Sequence, residues 1–273
     1  MKKFYQFDLH IHTPFSDGQI DFDTLIHALI ENDVKIAGFS DHIFPFAIYT
    51  HPKRGKINPK GLVNNYSAKQ LRYRKKIIKF YDRKYTEIKL LHGGEIDIYP
   101  HGTLSLPSSI GPAFFDYLMV AKHHTVPKPI SILYKHIPKV EKWMWTHNPR
   151  LKLNQYLWEK GLYAAFQRYQ PDIFAHPQEG FPKYLSDARI KRFILYCKQF
   201  EVALELNHFP LENSGLKRLL HYGKKYGIKF SLGSDFHGFK PHIKSLLNHI
   251  YEMYEIVESY ELNLIDPRNF LKV

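Results

Sequence analysis

Phe7-Asp8-Leu9-His10-Ile11-His12-Thr13-Pro14-Phe15-Ser16-Asp17-Gly18 is the stretch on which the reading of the fold turns. Residues two apart on a strand share a face, so His10 and His12 project together while Leu9 and Ile11 face the other way. Two neighbouring imidazoles pack poorly in a core and make half of a metal site. Thr13-Pro14 breaks the strand, and the Ser16-Asp17-Gly18 turn brings the Asp17 carboxylate back towards the same end. A single His-x-His pair is a weak signal, and its weight comes from repetition.

The repetition is extensive. Short apolar runs end in Ser40-Asp41-His42, Gly94-Glu95, Lys122-His123-His124, Ala175-His176-Pro177, Glu205-Leu206-Asn207-His208 and Ser234-Asp235-Phe236-His237. Each run reads as a strand with metal-ligand chemistry at its C-terminal end, where an α/β barrel assembles its active site. The strands fall at 4–12, 36–40, 88–91, 115–121, 172–175, 202–206 and 228–232. Helical periodicity fills 21–32, 66–85, 151–169, 185–200, 214–226 and 243–260, with Asp21 or Asp23 as the cap of the first helix. Alternating strands and helices predict a mostly parallel sheet. The ligands at strand ends favour closure into a (βα) barrel over an open doubly wound sheet. No strand is followed by a glycine-rich phosphate loop or a dinucleotide fingerprint. Two irregular excursions, 43–61 and 126–149, leave strand ends and are expected to cover the mouth. Gly93-Gly94 permits a close backbone approach or an unusual turn.

Composition agrees with one domain over 1–273. The chain is 44% hydrophobic, enough for a substantial core. The N-terminus has no sustained apolar segment and no run is long enough to span a bilayer, so a cytoplasmic protein without a membrane partner is expected. The lone Cys197 lies in an apolar helical pattern and reads as a core residue. The formal net charge is +13, which attracts anions such as phosphorylated substrates or nucleic acid and also serves solubility. Arg72, Lys76, Lys79 and Arg83 share one face of the 66–85 helix. Such a face can track a phosphate backbone; the simpler reading is a solvated side on the outer ring, away from the mouth.

As a set, these motifs resemble those of the PHP (polymerase and histidinol phosphatase) family of metal-dependent phosphoesterases. The family's opening His-x-His is matched by His10 and His12, and Asp17 follows in the turn where members carry Asp or His. Its Asp-His is matched by Asp41-His42 and its isolated glutamate by Glu95. An aspartate that starts its fourth strand and a histidine seven residues on are matched by Asp116 and His123. Ala-His-Pro supplies His176, and the closing Ser-Asp-x-His supplies Asp235 and His237. The flank Lys122-His123-His124 and the large Phe236 depart from the usual pattern.

The resemblance implies a distorted seven-stranded βα barrel, similar to a TIM barrel, that holds two or three divalent ions. His10, His12, Glu95 and Asp235 would hold one ion. Glu95 would bridge to a second held by His123 and His176, and Asp17, His42 and His237 would hold a third. Imidazoles and carboxylates without thiolates suit Zn, Fe or Mn, and Asp17 tilts the third site towards Mn or Mg. Asp41 remains as an orienter or proton acceptor. His124 and Lys122 would bind phosphate or protonate the leaving group, and Glu205 and Asn207 would line the pocket. The expected reaction is hydrolysis of a small phosphomonoester, L-histidinol phosphate being the family's best-known choice. A phosphodiesterase or exonuclease on single-stranded nucleic acid is the second choice, and a non-catalytic RNA-binding scaffold the third.

Overall fold

Helices and strands alternate along the chain, and the first two helices open on side-chain caps. The computed structural model describes residues 6–43, 67–99, 101–122, 149–177, 185–207, 214–238 and 243–271. After β1 (Phe7–Ile11) comes α1 (Phe22–Glu31), whose start is fixed by Asp21, its side chain accepting from the Thr24 N–H at 2.8 Å. α1 buries Phe22, Leu25, Ile26 and Leu29 against the sheet. α2 (Ala68–Lys84) opens with a reciprocal capping box between Ser67 and Gln70. The chain continues through α3 (Pro149–Tyr169), α4 (Asp187–Gln199), α5 (Ser214–Tyr226) and α6 (Ile243–Tyr260).

The remaining strands are β2 (Ile36–Phe39), β3 (His42–Ile43), β4 (Lys89–His92), β5 (Glu95–Asp97), β6 (Met119–Ala121), β7 (Ile173–Phe174), β8 (Ala203–Leu206), β9 (Lys229–Leu232) and β10 (Asn263–Leu264). Every ladder between them is parallel. They form a three-stranded sheet ordered β1-β2-β4 and a seven-stranded sheet ordered β10-β9-β8-β7-β6-β5-β3. The two sheets join into one distorted α/β barrel. β3 prolongs β2 and β5 prolongs β4, with Phe39 opposite His92 and His42 opposite Glu95. Backbone bonds from Gly93 N to Phe39 O (3.0 Å) and Glu95 N to Asp41 O (3.1 Å) carry the ladder across the break. On the far side the chain beyond β9 reaches β1 through one bridge, Ile11 to Phe236.

Here the structure refines the sequence reading. The strands expected at 36–40 and 88–91 are each the first half of a kinked strand, with Tyr117 packed against both kinks. Its ring fills the space over Gly93, where an added Cβ would lie 2.2 Å from the ring carbon Cζ. The buried Tyr117 hydroxyl bonds to Ser40 Oγ and donates to Leu9 O, each at 2.5 Å. Gly93 therefore answers a close approach. The strand expected at 115–121 is shorter, Met119–Ala121, and a 3₁₀ turn at Pro112–Phe114 precedes it. β10 has no counterpart in the sequence reading. Cys197 is fully buried, as its apolar setting suggested. Among the described residues no helix is long and apolar enough to cross a membrane. His123, His124 and His208, the excursion beyond Ile43, and residues 126–148 of the second excursion lie outside the described residues.

Candidate metal centre

β1 points Asp8, His10 and His12 into the barrel, as the alternation of the strand requires. All three are buried. His10 Nε2 lies 3.1 Å from His12 Nε2 and 3.4 Å from both Glu95 Oε2 and Asp235 Oδ1. His12 Nε2 lies 3.0 Å from Asp235 Oδ1 and 3.6 Å from Glu95 Oε2. Ligands about 2.0–2.1 Å from a tetrahedral ion stand about 3.3 Å from one another, so these four atoms have the spacing of a metal's own donors.

A second group shares the same wall. His237 Nε2 is 3.4 Å from Asp17 Oδ1 and from His42 Nε2, while His42 Nε2 is 3.7 Å from Asp17 Oδ2. His12 Nδ1 stands 3.5 Å from Asp17 Oδ1, so the His12 ring lies between the two groups. Glu95 connects them: Oε2 contacts His42 Nδ1 and Oε1 contacts His176 Nε2, both at 2.6 Å. Of the nine ligands implied by the sequence, the eight described ones therefore converge.

Charge is balanced tightly within the cluster. Burial lowers the affinity of His10 for a proton, but Glu205, Glu95 and Asp235 outweigh it and hold His10 well above the usual imidazole range. The carboxylates thus make this a place that favours positive charge, as a cation site requires. Burial, with His237 and His42 close by, brings His12 down to about 4. Burial would raise Asp17, yet His42, His237 and His12 bring it down to about 2. Burial likewise opposes ionisation of Asp235, but His10, His237 and His12 hold it well below the carboxylate range. Neutral and anionic oxygen and nitrogen donors in this number fit divalent ions of the Zn, Mn or Fe type.

Two of the candidate ligands sit on strained backbone. His176 has φ 26° and Asp235 has φ 53°, in the left-handed region, each at the end of a strand. Such conformations cost about 1–3 kcal/mol and persist where neighbours enforce them. The His176 N–H is held by Glu205 Oε2 at 2.7 Å. Beside Asp235, the Ser234 N–H is held by Asp8 Oδ1 at 3.0 Å. Burial pushes Asp8 up to about 6 against the hydrogen bonds it accepts from Ser234 and His10.

Glu205 and Lys122 differ in setting from their sequence-based expectation, whereas Asp41 has one of the two settings expected of it. Glu205, expected to line the pocket, is 1% exposed and uses both oxygens on the cluster: Oε1 contacts His10 Nδ1 at 2.7 Å and Oε2 accepts from His176. It orients ligands. Gly233 makes room for it, since a Cβ there would lie 2.0 Å from Glu205 Oε1. Lys122, expected at the phosphate, follows β6 on the opposite parity from Met119, which pairs with Glu95. Burial depresses its ammonium to about 7, and the charges acting most on it are Glu159 of α3 and Arg189 of α4, in the outer wall. Asp41 is saturated. Thr13 N (2.7 Å), Thr13 Oγ1 (2.8 Å), Ser16 Oγ (2.6 Å) and Arg74 Nε (2.6 Å) all donate to it. That is the setting of an orienter: Asp41 fixes the turn that carries Asp17, and Ser16 Oγ contacts His12 Nδ1 at 3.2 Å.

Arg74 was absent from the sequence reading. Fully buried on α2, it also donates to Phe39 O (2.6 Å) and Gly93 O (2.8 Å) and contacts His92 Nε2 (3.1 Å), tying together both kinked strands. Its position beside Leu71 and Ile78 on the apolar face of α2 was the available signal. Asn207, two residues beyond Glu205 and so on the same inner face, is fully buried, with neither amide atom hydrogen-bonded among the described residues.

Barrel and donor cluster together define a candidate metal centre at the C-terminal ends of the strands. The chain belongs to the PHP domain family, whose model matches residues 8–266. Its fold is similar to that of a histidinol phosphate phosphatase from Lactococcus lactis subsp. lactis, solved with zinc, L-histidinol and phosphate. The two have a TM-score of 0.58 and 14% identity, covering 96% of this chain and 95% of that one. A putative histidinol phosphatase from Listeria monocytogenes is also similar, with a TM-score of 0.55 and 16% identity over 85% of this chain and 95% of that one. In sequence the chain is 21% identical over 237 residues to the DNA polymerase/3'-5' exonuclease PolX of Bacillus subtilis, covering 84% of this chain. It spans about a third (34%) of that relative's length.

The setting of Glu205 yields a first expected outcome. Glu205→Gln keeps the shape but removes the charge facing His10, and should weaken metal affinity about 10–100-fold. Chelator competition measures this; an unchanged affinity would show that Glu205 does not support the ligands.

Proposed function

We propose that the chain is a phosphomonoesterase that hydrolyses a small phosphorylated substrate with metal-activated water, L-histidinol phosphate being the first candidate. The observation that carries the reading is the group of donors spaced 3.0–3.6 Å apart on the inner face of the barrel. In this reading His10, His12, Glu95 and Asp235 hold one ion, Glu95, His123 and His176 a second, and Asp17, His42 and His237 a third. Bound divalent ions supply neutralisation of the phosphate charge and a water whose pKa falls towards neutrality. Glu205 and Asp41 keep the histidines and the 13–18 turn in place. Asn207 offers a buried amide to the substrate, and His124 is the candidate proton donor to the leaving oxygen.

Burial supports a small substrate. His10 and Glu95 are 0% exposed, and the chain departs from β3 and β6 on the donor-bearing side, returning at α2 and α3. A second reading, cleavage of phosphodiesters in single-stranded nucleic acid, draws on the exposed cations of α2 and on the exonuclease named in the PolX relative. Comparing L-histidinol phosphate and other small monoesters with single-stranded oligonucleotides separates the two. Phosphate release from the monoesters with poor cleavage of internal diesters is expected. Efficient, salt-sensitive nucleotide release with negligible monoester turnover would establish the second reading instead.

A further inference from the structure

We propose that the outer face of α2 docks single-stranded nucleic acid. Arg72, Lys76, Lys79 and Arg83 are exposed on it, interleaved with Tyr73 and Phe80, which are each 58% exposed. With 3.6 residues per turn these six side chains fall within an arc of about 120° and a length of about 16 Å. The opposite side of the helix is buried through Leu71, Arg74 and Ile78. None of the four cations has an ion-pair partner among the described residues, whereas nearby Lys84 is paired with Asp23. The acidic residue within the helix, Asp82, is turned aside onto Lys89 and the Leu90 N–H. The face is therefore uniformly positive and carries two aromatic rings that remain more than half exposed.

Charge and rings together select the partner. Cations spaced along a groove or ridge follow phosphates, and exposed rings between them stack on bases, the combination that single-stranded nucleic acid requires. A membrane surface would need a continuous apolar strip to enter the acyl boundary. Leu71 and Ile78, which would supply it, are buried against the barrel. An acidic peptide would satisfy the cations and leave both rings in water.

The face also reaches the metal centre, which the sequence reading did not anticipate. The Tyr73 ring meets the Phe15 ring edge-on, with centroids 5.9 Å apart at 72°, and Phe15 lies in the turn that carries Asp17. The N-terminal end of the track thus borders the rim of the site. Docking here does not depend on which phosphoester the centre cleaves, so monoesterase activity and docking can fail separately.

The test is fluorescence anisotropy of the metal-loaded full chain with labelled, phosphorothioate-linked dT and rU dodecamers. Four phosphate contacts give a log–log salt slope of about −2.8 for a single strand, or roughly fiftyfold weaker binding at 200 mM than at 50 mM salt. Arg72→Glu/Lys76→Glu should weaken binding tenfold or more and flatten the slope. Tyr73→Ala/Phe80→Ala should weaken it by about tenfold or more with the slope kept. All four positions are solvent-exposed, and melting temperatures within about 2 °C of wild type would verify folding. Three results would overturn the proposal. They are no binding of either oligomer at 50 mM salt, binding unchanged in both double variants, or capture of the chain by phosphatidylserine vesicles in place of the oligomers.

Discussion

Glu95→Ala is expected to abolish phosphate release, lowering it by roughly a thousandfold or more, the scale of several kcal/mol of lost charge stabilisation. Glu95 contacts four histidines: Oε2 faces His10, His12 and His42, and Oε1 faces His176. No other described carboxylate in the cluster spans so many ligands. His12→Ala removes one donor from one edge of the cluster, so Glu95→Ala should cost more activity and more bound metal than His12→Ala. Steady-state rates and metal content of both variants check this. A Glu95→Ala protein with near wild-type activity would remove the bridging role.

Arg74→Met should destabilise the fold more than any surface change. Arg74 and Asp41 are both fully buried and 2.6 Å apart, so removing the guanidinium leaves a carboxylate without its counter-charge. Breaking such a pair costs about 3–5 kcal/mol. For a domain of this size that lowers the melting temperature by roughly 10 °C. The Phe39 and Gly93 carbonyls lose their donors at the same time. Arg74→Lys retains the charge but cannot serve all these acceptors with one ammonium, and should fall between the two. A melting temperature of Arg74→Met within about 2 °C of wild type would refute this role.

The contrast between Arg74 and His10 shows what the sequence could disclose. His10 and His12 are legible because strand parity puts residues two apart on one face, and Asp235 and His237 because the same ligand-bearing ending recurs along the chain. The bounds of α6, read as 243–260 from periodicity, coincide with the helix in the structure. The kinks at Ser40-Asp41 and Gly93-Gly94 were not legible, because they involve packing against Tyr117, which arrives from the distant segment ahead of β6. Glu205 supports His10 across 195 residues and Arg74 holds Asp41 across 33, distances over which no local pattern reports. The left-handed turns at His176 and Asp235 are equally silent in sequence, since neither residue is glycine.

The central claim is that the clustered donors hold more than one ion and that those ions are required for hydrolysis. Its most direct test is a titration of chelator-stripped protein with Mn²⁺ or Zn²⁺ while phosphate release from a small monoester is followed. The rate should be near zero without metal and should level off only after two or more equivalents per chain have bound. A chain that is fully active after stripping, or whose rate saturates at one equivalent, would contradict it.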